Sequence, residues 1–560
     1  MSRRNVLKSS IQNASINIVF QIVCRCITFG INSFVIRIVN RDALGIMNVR
    51  LLLLESTLSF LSREAIRRAT LSSTAQPHDR HIWPHIINQL WLTLPICCLV
   101  SMPCLYIWLN YLSAVDEIFY DQYKFGCWCI IVSCILELLA EAPVFVAQVF
   151  CFIKLRVVLD TLHIFVRSVL FIWLVIRDPN QAIFAFSIAQ IGSTISFVIG
   201  YYVYFIYYIN KLNRTSNDNV QHKKDDDQHG ESIDPDDIIP FNNIKQMLPG
   251  FMPNSGTIFN ENLQSLVWSF TKQGWLKQVL TEGEKYVMSI SPILTFHQQA
   301  TYDIVNNLGS LAARFVFRPI EENSYFYFTQ TLKRDLPLAQ QNNDKVIQTH
   351  SVLENLLKVV TSIGLIGMVF GQSYAKTVLT IYGGAKFVDD DGLSVLLLRW
   401  HAVAIVLLAI NGICEGYMFS TMTSTELDKY NYYMGIFSVT FLLLSYQLTS
   451  IFGAVGFILA NCINMLLRIV FSCLYIHKQY KTVDLKPLDG IIPNKLFAIC
   501  LVVFGIACKI SENRLYRTSM LLHILFGGVC FAVTLSIWAY ENKAMIRSYM
   551  LRRRQSFAEQ

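Results

Sequence analysis

The sequence predicts an all-α protein that crosses a membrane many times, and three observations carry that prediction. Only 15% of the 560 residues are charged and 53% are hydrophobic, whereas a soluble domain is about a quarter charged. Mean hydropathy is correspondingly positive, at +0.41. The apolar residues also fall into runs of about 20, the length needed to cross about 30 Å of hydrocarbon. So few charges cannot wet a soluble surface. A cytosolic enzyme, a nucleic-acid-binding protein and a disordered adaptor are therefore excluded as leading readings.

Clear spans are predicted near 14–36, 44–62, 86–109, 127–150, 157–177 and 182–208. After a polar interval they continue at 352–373, 393–411, 431–449, 452–475, 494–510 and 519–540. The stretch 264–315 is amphipathic and adds two further helices near 266–289 and 293–315. The prediction is therefore about 14 transmembrane helices rather than 12. Residues 1–208 form a first transmembrane lobe of six helices, and 209–258, with Asp225 to Asp227 and Asp234-Pro-Asp-Asp, form a polar cytoplasmic linker. Residues 259–540 hold the second lobe and the C-terminal helices, and 541–560 a basic tail.

The formal charge of +8 reads as an orientation signal, because cytoplasmic loops collect Lys and Arg. Arg3, Arg4 and Lys8 precede the first span. Arg63, Arg67 and Arg68, Lys154 and Arg156, and Lys211 and Arg214 follow alternate spans, and Arg552 to Arg554 lie in the tail. The opposite loop 111–125 has Asp116, Glu117 and Asp121 against one lysine. Both termini are therefore expected in the cytoplasm, with Lys509, Arg514 and Arg517 the exception to the pattern.

Polar residues inside the spans recur at helical spacing. The first span carries Asn13, Asn17, Gln21, Arg25, Thr28 and Asn32 on one face; the fourth carries Glu137, Glu141 and Gln148 around Pro143; the fifth carries Asp160, His163 and Arg167. Asn461, Asn464 and Arg468 share a face late in the chain, as do Asp303, Asn307, Ser310 and Arg314. A charge at the bilayer centre costs at least ~2.5 kcal/mol on insertion scales, so such faces must meet protein or a hydrated cavity. Two uses remain open. The stripes can pair with one another, as Asp160 could with Arg167 or Lys154, and Glu282, Glu284, Lys285, Arg314 and Glu321 could form one salt-bridge network. Alternatively the set lines a cavity for polar or anionic cargo, where Arg25, Arg37 and Arg67 would offer forked guanidinium donors to phosphate.

Catalytic signatures are missing. No Gly-rich phosphate loop, zinc-protease motif or nucleophile elbow occurs. The 15 cysteines lie mostly singly in apolar runs with no metal-ligand spacing, so no metal and no cofactor are expected.

Several stretches together resemble a known family. They are Leu-Ser-Arg-Glu-Ala-Ile-Arg-Arg at 61–68, Leu-Thr-Glu-Gly-Glu-Lys-Tyr-Val-Met at 280–288, and Asn-Asn-Leu-Gly-Ser-Leu at 306–311 running on to Arg-Pro-Ile-Glu-Glu at 318–322. Asn-Gly-Ile-Cys-Glu at 411–415 and Ala-Asn-Cys-Ile-Asn-Met-Leu-Leu-Arg at 460–468 complete the set. The chain resembles the eukaryotic endoplasmic-reticulum family required for dolichol-linked oligosaccharide assembly, within the multidrug/oligosaccharidyl-lipid/polysaccharide exporter superfamily. That resemblance implies two pseudo-related lobes around a central cavity. It implies as cargo a dolichyl-diphosphate heptasaccharide of five mannoses and two N-acetylglucosamines, moved to the lumenal leaflet for N-glycosylation. The family-like positions are Arg25, Arg37, Arg63, Glu64, Arg67, Glu282, Lys285, Arg314, Glu321, Glu415, Asn464 and Arg468, as cargo-binding or gating candidates. The implied partners are the diphosphate oligosaccharide lipid, membrane lipids and enzymes of the N-glycosylation pathway, with no nucleic acid. The competing reading is a non-catalytic scaffold or lipid-holding accessory protein of the same pathway.

Overall fold

The computed structural model describes residues 27, 29–73, 83–150, 152–222, 239–251, 261–334, 336–389 and 392–547. Among them every regular element is helical. Eleven helices among the described residues are long and apolar enough to cross a membrane. The first predicted span lies mostly outside the described residues; its end is the short apolar helix α1, Phe29–Ile38. The chain is a multi-pass membrane protein. By packing it divides into Met1–Ala300 and Thr301–Gln560, the division falling inside the helix Phe296–Ala312.

In the first unit α2 spans Arg41–Leu71, α3 Trp83–Asn110 and α4 Glu117–Leu139. The Asn40 side chain caps α2 by accepting from the Asp42 amide (2.9 Å), filling one of the donors a helix start leaves open. Two π-helical stretches, Ile46–Leu51 and Phe60–Glu64, interrupt α2. Such stretches concentrate at functional sites, and these two carry Arg50 and Arg63. The predicted span 127–150 is corrected. Its helix begins ten residues earlier, at Glu117, and stops at Leu139, after which α5 covers Glu141–Val149. Pro143 is the physical cause: it has no amide to give the carbonyl four residues back, and its ring clashes there. That carbonyl belongs to Leu139, and the Tyr202 hydroxyl donates to it instead (2.7 Å). The break sets Glu137 and Glu141 on either side of Ala140.

Helices α6, Ile153–Arg177, and α7, Ala182–His222, complete the apolar spans of this unit. The α7 helix runs past residue 208 into the interval read as linker. At the far end of that interval Ile239, Phe241 and Met247 are buried with Trp83, Phe145 and Tyr201 in one core. The Trp91 indole donates to the Met247 carbonyl (2.8 Å). Helix α8, Glu261–Ile290, packs against the second half of α2.

The second unit contains most of α9, Phe296–Ala312, then α10, Arg318–Thr331, joined to it by the π-helical Ala313–Phe317. Long helices follow: α11 Asn343–Gly383, α12 Leu393–Thr421, α13 Ser424–Phe452 and α14 Val455–Lys481. Helices α15, Lys495–Thr518, and α16, Met520–Glu541, end the described fold. Thr423 and Glu426 form a capping box at the start of α13. The turn into α14 is so tight that a Cβ on Gly456 would lie 2.3 Å from the Leu448 carbonyl carbon. Leu353, Leu357, Cys414, Tyr417 and Tyr480 are fully buried in the core. Leu99, Val203, Leu443, Ile499 and Leu521 are all more than half exposed, as expected where the surrounding solvent is hydrocarbon.

Candidate functional site

Two ionic clusters stand out, one inside each unit. In the first, the π-helical turn of α2 and the helix that follows it present Arg63 and Arg67 towards the α4–α5 break. Arg63 Nη1 donates to Glu137 Oε1 at 2.6 Å and lies 3.9 Å from Glu141 Oε2. Arg67 Nε lies 3.5 Å from Glu141 Oε1. These groups, with Arg156 and Asp160 from α6, line a cavity of about 200 Å³ that Val144 and Phe197 close on the apolar side. Its ionisable wall is balanced: three arginines face three carboxylates. Deeper in the unit Arg167 donates to Gln190 (3.1 Å), which donates to Glu55 (3.0 Å) and to Ser133 (3.3 Å). Asp160 and Arg167 thus have separate surroundings, and the pairing suggested for them is not formed.

The second cluster surrounds Glu415, which is 5% exposed. Arg468 holds it with both arms of the guanidinium, Nε to Oε1 at 2.7 Å and Nη2 to Oε2. Tyr430 Oη donates to Oε1 (2.5 Å) and Asn411 Nδ2 to Oε2 (3.0 Å). Three helices, α12, α13 and α14, thereby converge on one carboxylate. Both Asn411–Glu415 and Asn464–Arg468 are i,i+4 pairs on their helices, so each places two polar groups on one face. Glu321 comes close because Gly412 and Gly416 have no side chains: a Cβ on Gly412 would sit 2.9 Å from Glu321 Oε2.

The remaining candidates are scattered. Arg25 lies outside the described residues. Arg37 is exposed near the end of α1. Glu64 accepts from Arg68 one turn on (2.7 Å). Glu282 pairs with Lys285 (3.1 Å) and accepts from Ser56 of α2 (3.1 Å). Arg314 does not join them: it curls onto its own helix, donating to the Asn307 carbonyl (2.9 Å) and Ser310 Oγ (2.8 Å). Asn307 in turn donates to Asp303 (3.1 Å), so that stripe is a ladder of neighbours. Asn464 is half-buried beside the Glu415 cluster.

Comparison with known proteins assigns this architecture. The family described as "Rft-1: Rft protein" matches residues 9–552. The chain belongs to the Rft family. It is 55% identical over 547 residues to the Drosophila melanogaster "Man(5)GlcNAc(2)-PP-dolichol translocation protein RFT1", covering 97% of this chain and 98% of that protein. It is 38% identical to the Xenopus tropicalis protein of the same name, covering 99% of each. Among solved structures it is similar to "Lipid II flippase MurJ, inward closed conformation", with TM-score 0.57 and 11% identity, over 94% of this chain and 99% of that one. At that identity the likeness speaks to fold alone.

Within this Rft chain the structure adds polar residues that the sequence reading had not singled out. Arg50 is fully buried. Its Nη2 donates to Ser113 (carbonyl at 3.2 Å, and Oγ), and its guanidinium lies 5.3 Å from the Phe296 ring. Among the described residues its Nε and Nη1 have no hydrogen-bond partner. A lone arginine in an apolar run was the available signal. Arg399 and Lys509 both pair with the buried Glu512, at 2.7 and 2.6 Å, so one exception to the loop-charge pattern is neutralised locally.

Proposed function

We propose that this chain moves dolichyl-diphosphate Man5GlcNAc2 from the cytoplasmic to the lumenal leaflet of the endoplasmic reticulum. The observation that carries the reading is likeness over nearly the whole chain, at 55% identity, to a relative named for translocating that lipid. The fold similarity to a lipid flippase supports a transport architecture. In this reading the chain forms two pseudo-related lobes around a central cavity, both termini lie in the cytoplasm, and the helix count is 14. The lobes rock to change which side the cavity opens to. The diphosphate and sugar hydroxyls are held by polar side chains, with Arg25, Arg37, Arg63 and Arg67 on the first lobe and Arg314, Glu321, Asn464 and Arg468 on the second. The polyprenyl tail stays in lipid. Glu415 orients Arg468, and Glu64, Glu282 and Lys285 are gating candidates.

A second reading is favoured by one observation. The Glu415 cluster is nearly saturated with its own donors, as a brace in a scaffold or lipid-holding accessory protein would be. Purified protein in liposomes separates the two. Transport predicts accelerated leaflet exchange of the oligosaccharide diphosphate lipid, abolished by Arg67→Glu. Well-folded wild-type protein that gives no acceleration would leave only the accessory role.

A further inference from the structure

We propose that the cavity in the first unit is a sugar subsite, taking a neutral hydroxyl-bearing ring of the cargo and excluding its phosphates. This rests on the transport reading and assigns one part of the cargo to one place. The charge balance comes first. Arg63, Arg67 and Arg156 face Glu137, Glu141 and Asp160 around about 200 Å³, so the wall offers a phosphate no net attraction. The most favourable fork is already occupied, because Arg63 holds Glu137 at 2.6 Å. A phosphate would have to displace that carboxylate and lie against two more.

The hydrogen-bond inventory then specifies the ligand. Glu141 is a lining residue only 2% exposed, and its buried Oε1 has no hydrogen-bond partner among the described residues. Arg67 Nε, 3.5 Å away, also has none among the described residues. One buried acceptor and one buried donor therefore face each other across a gap too wide for a good hydrogen bond. A hydroxyl meets both needs at once, donating to the carboxylate and accepting from the guanidinium. An ionised phosphate oxygen can only accept, so Glu141 would stay unsatisfied and would repel it. Behind these groups Phe197 and Val144 form an apolar wall, suited to the C–H face of a pyranose. The volume equals about six or seven water molecules at ~30 Å³ each, enough for a single ring and too small for the whole oligosaccharide. In the proposed orientation Arg63 and Arg67 lie at the cytoplasmic end of α2, where the cargo's sugars begin.

The test uses the full chain in lipid nanodiscs, with free Man5GlcNAc2 as the neutral probe and farnesyl diphosphate as the sugar-free anionic probe. Saturation-transfer NMR should show the oligosaccharide bound and not displaced by farnesyl diphosphate. Glu141→Gln should weaken binding about tenfold, the scale of one charge-assisted hydrogen bond. Val144→Trp fills the cavity without altering charge and should abolish binding. Because either variant could fail to fold, a diazirine-bearing copy of the oligosaccharide should also label Glu141–Val149 in the unmodified chain. Displacement by farnesyl diphosphate, unchanged binding in a folded Val144→Trp, or labelling that misses this helix would overturn the subsite. If leaflet exchange persists while labelling misses the helix, the subsite falls and the transport reading stands. If the helix is labelled but no exchange occurs, transport falls and the subsite stands.

Discussion

Replacing Arg468 with Met is expected to destabilise the second unit more than any exposed-charge substitution. Glu415 is 5% exposed, and Arg468 supplies its only ion pair among the described residues. Removing one partner of a buried pair costs about 3–5 kcal/mol, mainly because the surviving charge is left uncompensated. Two features place the cost near the lower figure: Tyr430 and Asn411 still donate to Glu415, and the Arg468 side chain is itself 25% exposed. A loss of about 3 kcal/mol lowers the Tm of a unit this size by about 6–12 °C. The assay is thermal melting of purified protein in detergent, read by loss of the monodisperse elution peak. The double variant Glu415→Gln/Arg468→Met removes the charge as well as its partner, and should recover about 2 kcal/mol of the loss as a coupling energy. If Arg468→Met melts within about 2 °C of wild type, or the double variant recovers nothing, the uncompensated-charge argument is wrong.

Three further outcomes are expected in the same assay. Gly456→Ala places a Cβ 2.3 Å from the Leu448 carbonyl carbon and 2.4 Å from the Thr449 amide; since backbone cannot rotate away, an overpacking loss of about 1–3 kcal/mol is predicted, and an unchanged Tm would contradict the close approach. Tyr202→Phe strips the donor from the Leu139 carbonyl that Pro143 leaves open, with a predicted loss of about 1–2 kcal/mol that Pro143→Ala in the same chain should partly relieve. Arg314→Ala removes an exposed side chain bonded, among the described residues, only to its own helix, so stability should stay within about 0.5 kcal/mol. Lost leaflet exchange at unchanged Tm would then identify Arg314 as a cargo contact.

The spans were legible because crossing hydrocarbon imposes a length and an apolar composition that any chain must display. Helix ends were not. Glu117, Asn343 and Ser424 begin helices in polar sequence, where hydropathy is silent and the signal lies in caps such as Asn342 and Thr423. Pro143 was readable as a distortion, but the carbonyl it releases finds Tyr202 some 63 positions away, which no local pattern specifies. The site divides the same way. One-turn pairs such as Glu64–Arg68 and Arg318–Glu322 follow from spacing. The pairs that join helices, Arg63–Glu137 and Arg468–Glu415, span 74 and 53 positions, so sequence supplied their members and not their matching. Arg50 does carry a local signal, as a lone arginine inside the run Ile46–Leu54.

The matching changes what the inner arginines mean. Counted from sequence they suggest a cationic cavity awaiting phosphate. In the fold Arg63, Arg468 and Arg399 each hold a carboxylate at hydrogen-bond distance, and the bilayer explains why: an unpaired charge there is expensive to keep, and pairing offsets the cost. A carboxylate and a phosphate oxygen use the same fork of a guanidinium. Cargo that binds these arginines through phosphate must therefore exchange for an internal acid, and the acid it displaces must find another donor. At Glu415 two such donors are in place, Tyr430 and Asn411, so exchange there leaves the carboxylate partly satisfied. At Glu141 the situation is the reverse, since among the described residues its Oε1 has no hydrogen bond to lose. On the proposed transport reading the two clusters would take different parts of the cargo, Glu415–Arg468 a visiting phosphate and Glu141 a hydroxyl. A cargo that joins a diphosphate to a sugar chain presents both.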